Sequence, residues 1–121
     1  MSYNVRVLPQ VRDWMEHVLE EPQRIAVLAR LALLEDEGPA LGTPYVGKIK
    51  GSIHDPQMKA IRCSSGGRHL RVLFMFDPHR RAILLYGGDK TGQFTTWYRT
   101  AIREADSAYT EYLKHHTEED E

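Results

Sequence analysis

Three apolar-rich segments, separated by strong turn sequences, place the tightest constraint on the fold of this chain. They are residues 58–62 (MKAIR), 68–76 (RHLRVLFMF) and 81–86 (RAILLY). The intervening SSGG and DPHR sequences are rich in Gly, Ser, Asp and Pro, which favour tight turns. The pattern predicts an antiparallel β-meander. Because the second and third segments are apolar at nearly consecutive positions, we expect central strands covered on both faces.

The first third of the chain has one short strand pattern followed by helical periodicity. Residues 3–8 (YNVRVL) alternate polar and apolar side chains and stop at Pro9, which predicts an edge or opening strand. From Val11 the apolar residues follow helical spacing until Pro22, and a second helix is predicted over residues 23–37. The two helices would form a hairpin. The predicted apolar face of the second helix comprises Ile25, Leu28, Leu31, Ala32 and Leu34.

The remaining segments complete the predicted architecture. Residues 38–56 are so rich in Gly and Pro that they predict an irregular loop leading into the sheet. A C-terminal helix is predicted over residues 96–115, and residues 116–121 are predicted to form an acidic disordered tail. We therefore expect an α/β (α+β) fold in one domain over residues 1–115. Its elements are an N-terminal strand, a two-helix hairpin, a three-stranded antiparallel meander and a C-terminal helix.

Composition supports one globular domain and argues against several classes of protein. The chain has 121 residues, of which 41% are hydrophobic and 27% charged. It has neither a membrane-spanning apolar run nor the apolar stretch of a signal peptide, so we expect a cytoplasmic protein without a membrane partner. The single cysteine, Cys63, cannot form an internal disulfide, and the histidines lack metal-binding spacing. We expect no metal and no cofactor.

The net charge of −1 conceals a strongly basic central segment. Residues 38–103 carry eleven Lys and Arg against three Asp, a net +8, whereas the sequences on either side are acidic. If these cations share one surface, they form a basic patch suited to a polyanion. The alternative is a set of solvated charges, some of which protect sheet edges from pairing.

Several residues within the basic segment have two readings. The GGDKTG sequence, residues 87–92, has neither P-loop nor Rossmann spacing, so its glycines predict a turn between strand and helix. Asp89 is either a cleft residue or a loop residue that accepts backbone hydrogen bonds. His54 is a candidate acid or base or an exposed loop residue, and Cys63 is a candidate nucleophile or a small buried strand residue. Trp97 and Tyr98 are candidates for base stacking or for the core.

The chain resembles the RelE/ParE superfamily of toxins, in its HigB-like, phage-derived branch. The resemblance covers about residues 3–113 and rests most on residues 34–42, residues 71–78, GGDKTG and the Trp97-Tyr98 pair. It implies two N-terminal helices packed on a small, mainly antiparallel sheet. It also implies a toxin of a type II toxin-antitoxin module that cleaves mRNA, commonly on the ribosome, without a metal. A helix-turn-helix antitoxin would neutralise it, and the complex of the two would bind its own operator DNA.

The resemblance also assigns roles to residues of the basic segment. Arg62 and Arg71 would stabilise the phosphate or the transition state, and Lys90 and Tyr98 would transfer protons or contact a base. The predicted RNA-binding residues are Lys48, Lys50, Lys59, Arg68 and Trp97.

Two other functions remain open from the sequence. A toxin of this fold could inhibit growth without cutting RNA, by binding a protein target such as DNA gyrase as ParE-type relatives do, because fold alone does not decide function. The other alternative is a decayed or regulatory domain that binds only its antitoxin. The several cations predicted around one sheet favour the nuclease, because a protein that binds gyrase has no need of such a cluster.

Overall fold

The computed structural model describes residues 2–54 and 57–119, with side chains to residue 115, and it confirms the predicted α+β class. A five-stranded sheet has the order β1-β5-β4-β3-β2, in which only β1 pairs in parallel, with β5. The strands are β1 (Val5–Val7), β2 (Val46–Lys48), β3 (Lys59–Ser65), β4 (Arg68–Phe76) and β5 (Ala82–Asp89). The helices are α1 (Pro9–Asp13), α2 (Glu21–Glu37) and α3 (Trp97–Glu119).

The meander forms the centre of a three-layer structure. Successive side chains of a strand point to opposite faces. On β4, Val72 and Phe74 therefore pack against α1 and α2, whereas Leu73 and Met75 pack against α3. All four are at most 1% exposed, so the predicted covering of the central strands on both faces is confirmed.

Two proline-initiated helical segments form the predicted N-terminal hairpin. Pro9 and Pro22 each lie in the first turn of a helix, where a missing backbone N–H costs no hydrogen bond. The first helix continues beyond α1 as a wider π-helical turn, Trp14–Val18. The second begins with reciprocal hydrogen bonds between Glu20 and Gln23, the arrangement known as a capping box.

The predicted apolar face of α2 is partly wrong. Leu31 and Leu34 are buried with Val27, but Ile25 and Leu28 are 59% and 51% exposed, and Ala32 is exposed as well. Most positions of this helix are apolar or alanine, so the sequence pattern does not mark one stripe clearly. Packing against the sheet decides which stripe is buried.

The segment predicted as an irregular loop contains a strand. Strand β2 pairs antiparallel with β3, with Val46 opposite Ile61 and Lys48 opposite Lys59. Three residues are too few to show an alternating pattern, and Gly47 weakens the strand propensity further. The Arg62 side chain lies over this glycine, where a Cβ would meet its guanidinium group.

The prediction that the glycines of GGDKTG turn the chain is also wrong for the first two. Gly87 and Gly88 lie inside β5, which continues to Asp89. They provide space for indole rings on opposite faces of the sheet, that of Trp14 beside Gly87 and that of Trp97 beside Gly88. A close approach, rather than a turn, therefore explains both glycines.

Replacing Gly88 with alanine is expected to lower the free energy of unfolding by about 1–3 kcal/mol, because it overpacks a filled core. The new Cβ would lie 2.8 Å from Cζ2 of the buried Trp97. Urea denaturation measures the change. The control is Gly42→Ala, where no atom lies within 4 Å of the added Cβ. Equal stability of the two variants would contradict the close-packing explanation.

The C-terminal helix α3 begins at Trp97, one residue after the predicted start, and extends to Glu119. The described side chains end at residue 115, and residues 120–121 lie outside the described part of the chain. The helix over residues 116–119 differs from the disordered acidic tail predicted over residues 116–121, and the boundary of a single domain at residue 115 stays a prediction.

Candidate functional site

Two arginines lie side by side on the face of the sheet that also carries α3. Arg62 on β3 is directly opposite Arg71 on β4, and Arg71 is opposite Gly88 on β5. The neighbouring pair on the same face, Ala60 and Leu73, packs in the α3 core, so alternation places both arginines on this side. Arg62 is exposed and Arg71 is half-buried. Strand register therefore creates the pair.

Lys90 extends this pair across the end of β5. Its backbone N–H donates to the carbonyl of His69 at 2.9 Å, which fixes the residue beside β4. Its Nζ lies 5.1 Å from the ring centroid of Phe94 and 5.5 Å from that of Tyr98. Burial lowers the pKa of Lys90, and the charges of Arg71 and Arg62 lower it further. We call Arg62, Arg71 and Lys90 the cationic row.

Phe94 is a member of the site that sequence reasoning missed. Its ring is 51% exposed and contacts both Lys90 and His69, with ring centroids of Phe94 and His69 5.2 Å apart. The signal was an aromatic residue among small polar ones in TGQFTT, a segment that has no need of a core side chain.

Trp97 packs between β5 and α3, next to the side chains of the site. The ring is 9% exposed, with its centroid 6.0 Å from that of Tyr86 and 5.0 Å from that of Tyr98. It also covers Gly88 between the strand and the helix. This position favours packing over the predicted contact with RNA, whereas the half-buried Tyr98 has its ring beside Lys90.

The other predicted RNA-binding residues lie elsewhere on the sheet. Lys48 and Lys59 are paired across β2 and β3 on the opposite face, where Lys59 Nζ lies 5.6 Å from the Phe76 ring centroid. Lys50 is exposed in the segment that follows β2. Arg68 shares the face of Leu70, away from the cationic row. The structure thus brings together Arg62, Arg71, Lys90 and Tyr98 but not these four.

Asp89 has the loop role that the sequence left open. Its Oδ1 accepts hydrogen bonds from the backbone N–H of Thr91 at 2.9 Å and from its hydroxyl at 2.5 Å. Arg68 Nη1 lies 3.5 Å from the other carboxylate oxygen. Burial alone would raise the pKa of Asp89, but these interactions outweigh it and lower the pKa. The carboxylate therefore shapes the turn before α3.

His54 and Cys63 also have structural surroundings. His54 Nε2 lies 3.2 Å from the Thr110 hydroxyl, and its ring packs edge-on against Tyr109, which ties the loop after β2 to α3. Asp106 strengthens the tie by accepting a 2.5 Å hydrogen bond from Ser52. Cys63 is buried, and burial raises the pKa of its thiol despite the nearby Arg30 and Arg71. A raised pKa opposes the reactivity expected of a nucleophile.

One cavity of the structure lies away from the candidate catalytic residues. A cavity of about 640 Å³ is bounded by β1, α1 and α2, with Val7, Met15 and Leu28 in its largely apolar lining. It includes no member of the cationic row.

Within residues 2–54 and 57–119, no three His, Cys, Asp or Glu side chains are grouped as metal ligands. None of the described helices is long and apolar enough to cross a membrane.

Comparison with known proteins identifies the family. The model of the family described as "Phage derived protein Gp49-like (DUF891)" matches residues 13–110. The chain belongs to the Gp49-like family. That match includes the whole cationic row, together with Phe94 and Tyr98.

Two relatives of this Gp49-like protein come from Mycobacterium tuberculosis. "Putative toxin HigB3" is 42% identical over 109 residues, which are 90% of this chain and 92% of the relative. "Putative toxin HigB2" is 42% identical over 105 residues, which are 86% of this chain but 51% of the relative, so the chain spans about half of that protein. No solved structure matches the chain.

Proposed function

We propose that this Gp49-like protein is the toxin of a type II toxin-antitoxin module and acts as an endoribonuclease on mRNA. The names of the two HigB relatives support the toxin role. We place the chain in the RelE/ParE superfamily because its strand, helical hairpin, meander and C-terminal helix have the order that this resemblance implies. We also propose that it acts in the cytoplasm, on ribosome-associated mRNA.

The cationic row is the observation that carries the nuclease proposal. Arg62 and Arg71 are adjacent on one face of the sheet, and their charges add to burial in lowering the pKa of Lys90. Among the described residues, none of the three has an ion pair with a carboxylate. Adjacent cations without a counter-ion suit an anionic ligand, and guanidinium groups match phosphate oxygens in geometry.

The proposed reaction is attack of the ribose 2′-hydroxyl on the adjacent phosphorus. The 2′-oxygen forms a bond to phosphorus while the bond from phosphorus to the 5′-oxygen breaks. A base removes the 2′-hydroxyl proton, and an acid protonates the departing 5′-oxygen. Arg62 and Arg71 stabilise the negative charge that develops on the phosphorane oxygens. The products are a 2′,3′-cyclic phosphate and a 5′-hydroxyl, and no metal or cofactor takes part.

Lys90 is the proposed general base. Its lowered pKa increases the fraction of neutral amine near neutral pH, and a neutral amine can accept a proton. Tyr98, whose ring lies 5.5 Å from Lys90 Nζ, carries the hydroxyl proposed to donate a proton or contact a base of the RNA. The exposed ring of Phe94 offers a stacking surface on the other side of the amine.

Changing Lys90 to arginine is expected to lower kcat by about 100- to 10,000-fold, the usual contribution of a general base. Arginine retains the positive charge but does not release its proton, so the variant separates proton transfer from electrostatics. The wild-type rate should rise with pH up to the lowered pKa of Lys90, and that rise should disappear in Lys90→Arg. The control is Lys114→Arg on the exposed surface of α3. An unchanged pH profile in Lys90→Arg would contradict the assignment.

A helix-turn-helix antitoxin is the proposed protein partner, and its complex with the toxin is proposed to bind operator DNA. Antitoxin binding is expected to survive substitutions in the cationic row if the variants fold, which separates neutralisation from catalysis. Copurification of the two proteins measures this.

Product chemistry tests the nuclease proposal. Purified protein would be incubated with mRNA in a translating extract, and the new RNA ends would be analysed by mass spectrometry. We expect 2′,3′-cyclic phosphate and 5′-hydroxyl ends, and no cleavage when the ribose at the cut position is 2′-deoxy. Growth arrest in cells combined with intact RNA in the extract would instead support a toxin that binds a protein target.

A further inference from the structure

The cationic row continues into a cavity at the edge of the sheet. Strand β2 covers β3 only at residues 59–61, so the edge of β3 beyond them borders a cavity of about 290 Å³. This volume is near the lower limit of about 300 Å³ for small-ligand pockets. Three arginines line it, two from the row and Arg30 from α2. None of the described lining residues is acidic.

Arg30 is held in place by two contacts. Its Nε donates a hydrogen bond to the backbone carbonyl of Arg62 at 3.1 Å. Its guanidinium carbon lies 4.8 Å above the centroid of the Tyr45 ring, a cation–π contact. The Nη1 and Nη2 groups have no hydrogen-bond partner among the described residues. A fixed guanidinium with free donors is preorganised for a ligand.

Arg71, which also lines this cavity, has one unsatisfied donor. Its Nη1 donates to the carbonyl of Leu70 at 2.9 Å, but its Nε is buried without a partner among the described residues. A buried donor without a partner costs about 1–3 kcal/mol. Three cations at one cavity also repel one another, and an anion bound there would relieve that repulsion. The nearby Cys63 thiol adds no negative charge, because burial raises its pKa.

We infer that the Arg30 cavity binds a second phosphate of the RNA, next to the phosphate that is cut. This inference rests on the proposed nuclease function, because Arg62 and Arg71 belong to both sites. RNA would pass from Lys90 and Tyr98 over the two arginines of the row to Arg30. Arg30 contacts the second phosphate through its Nη groups, and Tyr45 is a positioning residue that holds the guanidinium.

Binding of a single-stranded RNA oligonucleotide with 2′-O-methyl riboses tests the inference, because such RNA cannot be cut by 2′-hydroxyl attack. We expect Arg30→Gln to raise Kd about tenfold or more, as for a lost hydrogen bond to a charged group. The slope of log K against log salt should fall in magnitude by about 0.7, the value for one phosphate contact on a single strand. The control is Arg80→Gln, an exposed arginine in the turn at the far end of β4 and β5.

Tyr45 variants distinguish positioning from general damage to the fold. Tyr45→Leu should raise Kd about two- to fivefold through loss of an exposed cation–π contact, whereas Tyr45→Phe should bind like the wild type. Equal binding by Arg30→Gln and Arg80→Gln would overturn the inference, and so would a wild type that does not bind this RNA. If binding depends on Arg30 but translating extracts show no cleavage, the nuclease proposal fails and the phosphate site stands.

Discussion

Replacing Arg71 with glutamine is expected to lower the rate of RNA cleavage by about 100- to 1,000-fold, the usual effect of removing one donor to a developing oxyanion. Arg71 is the central member of the cationic row, opposite Arg62 on one side and Gly88 on the other. A Gln side chain retains polarity but supplies neither the charge nor the bidentate geometry. Single-turnover cleavage by the purified variant measures the loss.

Stability measurements separate a loss of catalysis in Arg71→Gln from a loss of folding. The buried, unsatisfied Nε of Arg71 and the neighbouring cations oppose folding, so Arg71→Gln should unfold at the same or a higher urea concentration than the wild type. Arg80→Gln, with the same change of charge at the opposite end of the sheet, should retain wild-type activity. Cleavage by Arg71→Gln within a few-fold of the wild type would contradict the role of the row in catalysis.

The largest expected effect on stability comes from Asp77→Ala, which should reduce the free energy of unfolding by about 3–5 kcal/mol, as for a broken buried ion pair. The Asp77 side chain is 1% exposed in the turn between β4 and β5. It accepts hydrogen bonds from the Arg81 side chain and the Tyr112 hydroxyl, each at 2.7 Å, and from two backbone N–H groups of the turn. The substitution leaves these donors without their acceptor and separates the turn from α3.

The pH dependence of stability tests the same carboxylate. Burial alone would raise the pKa of Asp77, but hydrogen bonds from Tyr112 and Arg81 outweigh it and hold the pKa below its usual value. A lowered pKa in the folded state adds stability above the unfolded value, about 3.9, and this is lost as the pH falls through the folded pKa. The difference in free energy of unfolding between wild type and Asp77→Ala, measured by urea denaturation, should therefore become smaller below about pH 4. The control is Asp36→Ala, because Asp36 is exposed. A difference in free energy of unfolding below about 1 kcal/mol between wild type and Asp77→Ala at pH 7 would contradict the ion-pair account.

Much of the fold was predictable because its main signals are local. Turn sequences and apolar runs marked the meander, and prolines marked where helices begin. Alternation along β3 also places Arg62 and Lys59 on opposite faces of the sheet, as the pairing shows. The predictions that failed depend on contacts between distant segments. Strand β2 exists because β3 offers it a partner. Gly88 is a strand residue because it pairs with Arg71, and it is a glycine because Trp97 lies against it.

The candidate site, like the fold, was predictable from the sequence only in part. A family resemblance could assign Arg62, Arg71, Lys90 and Tyr98, and the structure places them together, although their roles stay predictions. Arg30 was not predictable, because it lies on a helix 32 residues before Arg62 and approaches the row only through packing of α2 against β3. Lys48, Lys59 and Arg68 lie on the other face of the sheet. The resemblance assigned them to RNA binding without regard to the face, although alternation along a strand separates Lys59 from Arg62 and Arg68 from Arg71.

Mapping of mRNA 5′ ends in cells, after brief induction of the protein, tests the central claim most directly. The comparison is between the wild type, the double variant Arg62→Gln/Arg71→Gln and Arg80→Gln, each with and without a block of translation. New ends should appear with the wild type and Arg80→Gln, require active translation, and be absent with the double variant. Growth arrest without new ends, or new ends made equally by a folded double variant, would contradict the claim that the cationic row cuts mRNA.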